Sequence, residues 1–247
     1  MNIVHAIWEK RNLGLDAWEV SLGEQDALDI PATLAALRDS KYAGAYVCVK
    51  LPIGRIKLLH ALEDEGFRFM ETQLHLKDSF KPDDMKKSLV AAGVCVESVE
   101  VPKTVAHWRK VIERITPGMF ETDRIAMDPL FGPEVACVRY KNWCMDLFSD
   151  ERSRLMVYMA EGHEIAFNLQ LYDERRKYNK GVLGGVFSPY KDSGFGAAIV
   201  LDEEGRSRYG SRKTCVSSNN LAVVKLHQVC GRIIYGMSYV LRKKYDK

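Results

Sequence analysis

A chain of 247 residues with 47 % apolar side chains can bury a normal core, as one large domain or two smaller ones. Its 36 basic and 33 acidic residues leave a formal charge of only +3, too balanced for a nucleic-acid-binding surface. No uncharged apolar run reaches membrane-spanning length and Met1–Lys10 holds no signal-peptide core, so a cytoplasmic protein with no membrane partner is expected. The six cysteines, Cys48, Cys95, Cys137, Cys144, Cys215 and Cys230, form no CxxC pair, and most sit in apolar runs. They read as reduced, buried thiols and not as disulfides or metal ligands.

Along the chain, Ala17–Leu22 and Tyr42–Lys50 are β-prone and predict strands, the second closed by Pro52. Arg55–Glu65 spaces Ile56, Leu58, Leu59 and Leu62 for one helical face, and Gly66 stops it. Phe67–Leu76 alternates as a strand. The polar segment Lys77–Lys87, with Pro82, Asp83 and Asp84, marks a linker. We therefore divide the chain into residues 1–80, a linker at 81–92, and residues 93–247. Val94–Val101 predicts a strand, Lys103–Ile115 a helix with Trp108, Val111 and Ile112 inward, and Glu134–Phe148 a second helix after an irregular stretch over Phe120–Pro133. Leu155–Ala160 and Ile165–Tyr172 flank a tight turn at Glu161-Gly162-His163-Glu164. Val182–Phe187 and Arg212–Ser217 predict strands, Leu221–Cys230 a helix, and Ile233–Leu241 a last strand. Strand-helix alternation around a central hairpin implies an α/β chain with a mixed sheet and flanking helices. Val47-Cys48-Val49, a helix, Gly66 and a strand recur as Thr214-Cys215-Val216, a helix, Gly231 and a strand. Such a unit is common in α/β proteins; it also fits a first half that is a remnant of the second.

Two segments carry chemistry. Lys191-Asp192-Ser193-Gly194-Phe195-Gly196 follows a predicted strand and opens a helix. Its paired glycines let backbone approach a ligand, and amides at a helix start suit a pyrophosphate. A dinucleotide fingerprint would need a third glycine, and a Walker loop a Gly-Lys-Ser/Thr; both are absent. The second segment, Ser217-Ser218-Asn219-Asn220-Leu221 through His227 to Gly231, places Asn220 where an ordinary N-cap would sit.

In this order, about a helix apart, the two segments resemble the signature of the GNAT acyltransferases. That signature is Arg/Gln-x-x-Gly-x-Gly/Ala, then an Asn followed by Tyr and Gly. Here Lys191, Gly194 and Gly196 stand on the loop positions, with Lys for the usual Arg or Gln. His227 stands for the Tyr, and Arg232 for the Phe after Gly231. Within the superfamily the whole chain is most similar to the dTDP-fucosamine acetyltransferase type. Trp8-Glu9, Leu13-Gly14-Leu15-Asp16 and Leu62–Phe67 carry that likeness at the start, Asp123-Arg124-Ile125, Asp128-Pro129 and Arg139–Trp143 on the acceptor side.

The resemblance implies a GNAT fold with a central mixed, largely antiparallel sheet flanked by helices, preceded by a degenerate GNAT-like half-domain. It implies transfer of an acetyl group from acetyl-CoA, or another short acyl-CoA, to the primary amine of a small acceptor by direct attack on the thioester. An amino-sugar nucleotide is the acceptor it suggests, with no metal and no nucleic acid; a homodimer is left open. Val186, Phe187, Ser188, Lys191, Asp192, Ser193, Gly194, Phe195, Gly196 and Asn220 would hold the cofactor. Arg139, Tyr140 and Asn142 would hold the acceptor, because Arg suits a phosphate or carboxylate. His227 would replace the family's acid, an imidazolium being a stronger acid than a thiol; Tyr239 and Tyr235 are alternatives on the last strand. The general base is unassigned. The alternatives are a GNAT acting on a protein, antibiotic or polyamine amine, and a catalytically silent acyl-CoA-binding regulatory or assembly module.

Overall fold

Side-chain alternation decides the sheet. In β3 (Tyr46–Pro52), Val47, Val49 and Leu51 are fully buried on one face and Tyr46 and Cys48 on the other, so this strand lies inside the molecule. The computed structural model describes residues 1–78, 96–200 and 212–246. In chain order come β1 (Asn2–His5), α1 (Lys10–Leu13), β2 (Ala17–Ser21), α2 (Glu24–Leu28), α3 (Ile30–Leu37), β3, α4 (Ile56–Asp64) and β4 (Arg68–Asp78). After them come β5 (Glu97–Glu100), α5 (Val105–Ile112), α6 (Pro133–Phe148), β6 (Ser153–Ala160), β7 (His163–Asp173) and β8 (Tyr178–Val186). The chain closes with α7 (Gly196–Val200), β9 (Arg212–Ser217), α8 (Leu221–Val229) and β10 (Arg232–Lys244).

The described strands form one mixed sheet in the order β1-β2-β3-β10-β4-β9-β8-β7-β6-β5. Among the described strands, only β2–β3 and β8–β9 pair in parallel. The sheet is thus largely antiparallel, as expected. The repeated strand-helix-strand unit is present twice, as β3-α4-β4 and β9-α8-β10. The two units interleave: β10 lies between β3 and β4, and β4 lies between β10 and β9. Segments 1–80 and 93–247 therefore both contribute to a single sheet, and the expected linker at 81–92 lies outside the described residues.

Two main cores flank the sheet. Leu37 of α3, and Leu58 and Leu62 of α4, pack with Phe67, Val49, Leu51 and Leu241. Trp108, Val111 and Ile112 of α5 and Tyr140 and Cys144 of α6 pack with Leu155, Val157, Phe167, Leu169 and Phe187. The α5 stripe is the one its spacing predicts, and Thr104 caps it by accepting the His107 amide at 3.3 Å. The hairpin turn is a two-residue connection, Ala160 pairing with His163, with Glu161 at φ 50° and Gly162 at φ 77°. Both left-handed residues match the strand twist. Among the described residues, no helix is long and apolar enough to cross a membrane.

Several elements differ from the expectation. Residues 10–37 carry three helices that the sequence pattern did not suggest. Strand β3 starts at Tyr46 and not at Tyr42, because Ser40–Tyr42 forms a 3-10 turn and Gly44 turns with φ 69°. Pro133 opens α6 one residue early, a position where its missing N–H costs nothing.

Between α6 and β6, Asp150 accepts from the backbone N of Arg152 at 2.9 Å and from its Nη2 at 2.6 Å. The Arg152 hydrogen bond, ahead of smaller influences, pulls this carboxyl from its ordinary 3.8 down to about 2. A carboxyl lowered by folding stabilises the fold above its unfolded pKa, and that contribution fades as pH falls through the folded one. Asp150→Asn is expected to cost under about 1 kcal/mol at pH 7. The gap between variant and parent should close between pH 4 and pH 2 in urea titrations.

Candidate active site

The site grows out of a break in the sheet. Among the described residues, strands β8 and β9 pair at two positions, Asn179 with Arg212 and Lys180 with Lys213. Beyond these, β8 stays with β7 as far as Val186–Ala166, and β9 stays with β4 as far as Ser217–Gln73. The two parallel strands therefore part toward their C-terminal ends and open a cleft. A bulge at Val182, where Leu169 faces Leu183 but Gln170 faces Gly181, bends β8 beside it.

Two glycines shape the β8 wall. A Cβ on Gly184 would stand 2.8 Å from Ile199 Cγ2 of α7 and 3.2 Å from the Phe167 carbonyl oxygen. One on Gly185 would stand 2.7 Å from Met119 Sδ. Backbone cannot yield where a thioether can. Gly184→Ala should thus cost about 1–3 kcal/mol by prising α7 from β8, with Gly185→Ala well below it; thermal melts of the pair check the order.

The loop after β8 has the geometry that its glycines suggest. Val186 ends the strand, and Phe187 is buried, its ring stacked on Phe167 at 5.7 Å. The Arg114 guanidinium lies 3.4 Å over that ring and donates to the Glu164 carbonyl at 2.9 Å, fixing the loop's start. Ser188 begins a 3-10 turn, Ser188–Tyr190. Asp192 (φ 67°) and Gly194 (φ 84°) turn the chain left-handed, and nothing lies within 4 Å of a Cβ built on Gly194. Ser193 Oγ donates to the Tyr190 carbonyl at 2.5 Å. Phe195 packs against Tyr190, and Gly196 opens α7, with Leu226 of α8 3.4 Å from its would-be Cβ. The Lys191 ammonium pairs with Glu121 at 2.6 Å. Both side chains are exposed, so salt weakens the pair and an anion can compete for the lysine.

Asn220 caps α8, its Oδ1 accepting from the Val223 amide at 3.1 Å. His227 is buried on α8, which packs against α7, β9 and β10. Tyr239 is not brought to the cleft: it pairs with Leu51 and Thr72 in the core of α3 and α4, its ring against Phe69. Tyr235 lies on the open face of the sheet.

Arg139 and Asn142 serve the joint between α6 and the N-terminal segment, and Tyr140 ties α6 to the loop before it. Arg139 Nη2 is 2.7 Å from Glu9 Oε1, Asn142 donates to Asn12 Oδ1 at 2.7 Å, and Tyr140 donates to Asp123 Oδ2 at 2.6 Å. Arg139 and Glu9 are nearly buried, so this ion pair is already satisfied within the chain.

A polar face unseen in the sequence stands beside the cleft. Cross-strand partners point to one side of a sheet. The chain of partners Lys180–Lys213–Lys77, Cys215–His75 and Ser217–Gln73–Ser238 therefore forms one face. His75 Nδ1 lies 3.1 Å from Cys215 Sγ, and Nε2 lies 3.2 Å from Ser238 Oγ. The ammonium of Lys213 sits 4.5 Å over the Tyr178 ring, and Lys77 and Lys213 both approach Tyr235. The only sequence signal for this face is the polar alternation Gln73, His75, Lys77 within β4.

A scan against protein-family models finds no match, and neither does a search of the curated proteins. Solved structures do match. A GCN5-related N-acetyltransferase from Sphaerobacter thermophilus superposes with a TM-score of 0.62 at 11% identity, covering 100% of this chain and 76% of that one. The chain has the GNAT fold. A second GCN5-related N-acetyltransferase, from Kribbella flavida, gives 0.57 at 13% identity over 92% of this chain and 81% of that one. A functionally unknown conserved protein from Staphylococcus epidermidis gives 0.61 at 12% identity over 98% and 90%. On the GNAT fold, the β8–β9 cleft and the loop at its mouth lie at the C-terminal ends of two parallel strands, the usual ligand position in open sheets.

Proposed function

We propose that the protein transfers an acyl group from acyl-CoA, acetyl-CoA in the simplest case, to the primary amine of a small acceptor. The observation that carries this reading is the β8–β9 cleft with the left-handed glycine loop 191–196 at its mouth. In this reading the pantetheine arm lies in the cleft along the backbone of 186–188, and the loop amides with Lys191 take the pyrophosphate. Asn220 holds the start of α8 against the opening. For the proton that the leaving sulfur needs we assign His227 over Tyr239, since α8 borders β9 while Tyr239 packs in the core of α3 and α4, its ring against Phe69.

The acceptor is expected to be anionic. Lys50, Lys77, Lys180 and Lys213 crowd the sheet face beside the cleft, with Tyr178 and Tyr235 between them. Ammonium groups with aromatic rings suit a phosphate joined to a planar base and repel a polyamine. This favours an amino-sugar nucleotide, as in the dTDP-fucosamine acetyltransferase type, and makes Arg139, Tyr140 and Asn142 supports of the site and not contacts. The test is calorimetric titration with acetyl-CoA, followed by free-thiol release over a panel of amines. Micromolar binding and release with amino-sugar nucleotides are expected; no binding of acetyl-CoA overturns the reading, and binding without release by any amine leaves a module that holds acyl-CoA.

A further inference from the structure

We propose that Glu71 takes the ammonium of the acceptor, while the lysines on the same sheet face take its anionic group. This inference rests on the acyl-CoA reading of the cleft and names the residue that recognises the amine.

Among the described residues three acidic residues are buried, Glu9, Glu71 and Asp128. Glu9 is paired with Arg139, and Asp128 with Arg242 and the Tyr46 hydroxyl. Glu71 is only 4 % exposed, yet no hydrogen bond or ion pair from a described residue reaches its carboxylate. Such a group costs stability unless a cation is brought to it. The cations of its neighbourhood are placed elsewhere. Glu71, Arg124 and Lys50 all act on the Cys48 thiol, whose pKa is raised first of all by burial. Arg124 turns to Glu19, 3.6 Å away. Lys50 stands two strands off, in register through Val240 of β10, about 10 Å from Glu71 along the backbone.

Position ties the carboxylate to the cleft. The turn between β9 and α8 holds β4 on both sides of Glu71. The Ser218 amide donates to the Thr72 carbonyl at 2.9 Å, and Asn219 Nδ2 donates to the Met70 carbonyl at 3.1 Å. Asn220 of the same turn caps α8. Glu71 therefore stands at the C-terminal end of β9, the end toward which β8 and β9 part.

Alternation along β4 puts Glu71 on the face of Gln73, His75 and Lys77. Lys77 is six residues along the strand, about 20 Å away, with Lys213 and Lys180 beside it in register. The face is thus bipolar. A carboxylate stands where the cleft opens, and ammonium groups with the Tyr178 and Tyr235 rings stand at the other end. A molecule with an amine at one end and a phosphate at the other lies on it in one direction only, with the amine toward the thioester. A polyamine is repelled by the lysines, and a bare amine leaves them unpaired. The role of Glu71 is recognition, not proton transfer.

The test is calorimetric titration of the CoA-saturated protein with two probes, dTDP-fucosamine and dTDP-fucose, which carries a hydroxyl in place of the amine. E71Q should bind dTDP-fucosamine about ten- to a hundredfold more weakly than the parent, and dTDP-fucose within about twofold of it. K213M should weaken both probes alike. E71Q should also bind acetyl-CoA as the parent does and melt no lower, because glutamine fills the same space without the uncompensated charge. Equal losses for both probes in E71Q, or no loss for dTDP-fucosamine, overturn the assignment and spare the acyl-CoA reading. Failure of the CoA-loaded parent to bind either probe does the same. So does a clearly lowered melt of E71Q, which would reveal a partner for Glu71 within the chain. No binding of acetyl-CoA to the parent overturns both.

Discussion

Replacing Asp128 by alanine is expected to remove about 3–5 kcal/mol of stability. Asp128 is almost fully buried. One oxygen accepts from Arg242 Nη2 at 3.0 Å and from the Leu130 amide at 3.0 Å. The other accepts from the Tyr46 hydroxyl at 3.1 Å and lies 2.9 Å from Arg242 Nε. Burial, above all, drives the Tyr46 pKa far upward, so this phenol stays a donor at every working pH. One carboxylate thus ties the loop before α6 to β3 and β10. Alanine leaves a largely buried guanidinium without its counter-charge and a buried hydroxyl without an acceptor. Asparagine keeps an acceptor for Tyr46 and should lose roughly half as much. Urea unfolding of the two variants decides the matter. A loss under about 1 kcal/mol for alanine would mean that water or another carboxylate reaches Arg242.

The second large effect is on binding. Gly194→Glu should weaken acetyl-CoA binding at least about a hundredfold, because a carboxylate would face the pyrophosphate where like charges cost several kcal/mol. Space does not forbid the side chain, since nothing lies within 4 Å of the position. The φ of 84° does strain any residue with a Cβ. Gly194→Ala carries that strain without the charge, so it separates the two causes. It should bind within about tenfold of the parent if charge dominates, and the glutamate variant should melt near the alanine variant. Equal loss in both variants would move the explanation from the phosphate to the loop's shape.

Much of the fold was legible because its signals are local. β9 spans the predicted Arg212–Ser217, and α8 starts at the predicted Leu221. β-branched runs and a stop glycine specify such elements without reference to the rest of the chain. Helices α2 and α3 went unread, although Asp29-Ile30-Pro31 has the form of a helix start, with Asp29 accepting the Ala32 amide at 3.0 Å. Their apolar residues are spread too widely to make a stripe. The candidate site divides in the same way. The 191–196 loop is contiguous, so its turn chemistry could be read directly. His75, Cys215 and Ser238 meet only because β4 lies between β9 and β10, which no spacing rule reports. Arg139 shows the converse: a basic residue on a helix suggests a ligand anion until the fold delivers Glu9 to it.

The interleaved order β3-β10-β4-β9 bears on how the chain is made. During synthesis β3 and β4 emerge long before β10, the strand that must enter between them. Until it arrives, two apolar strands present unpaired edges and can pair with each other or with a neighbouring chain. Folding cannot proceed one half at a time from the N-terminus; it has to wait for a contact of very high sequence separation, which makes it slow. A ribosome-tethered chain stopped before residue 232 should therefore be held open and protease-sensitive, and release of the last strand should lock both halves in one step.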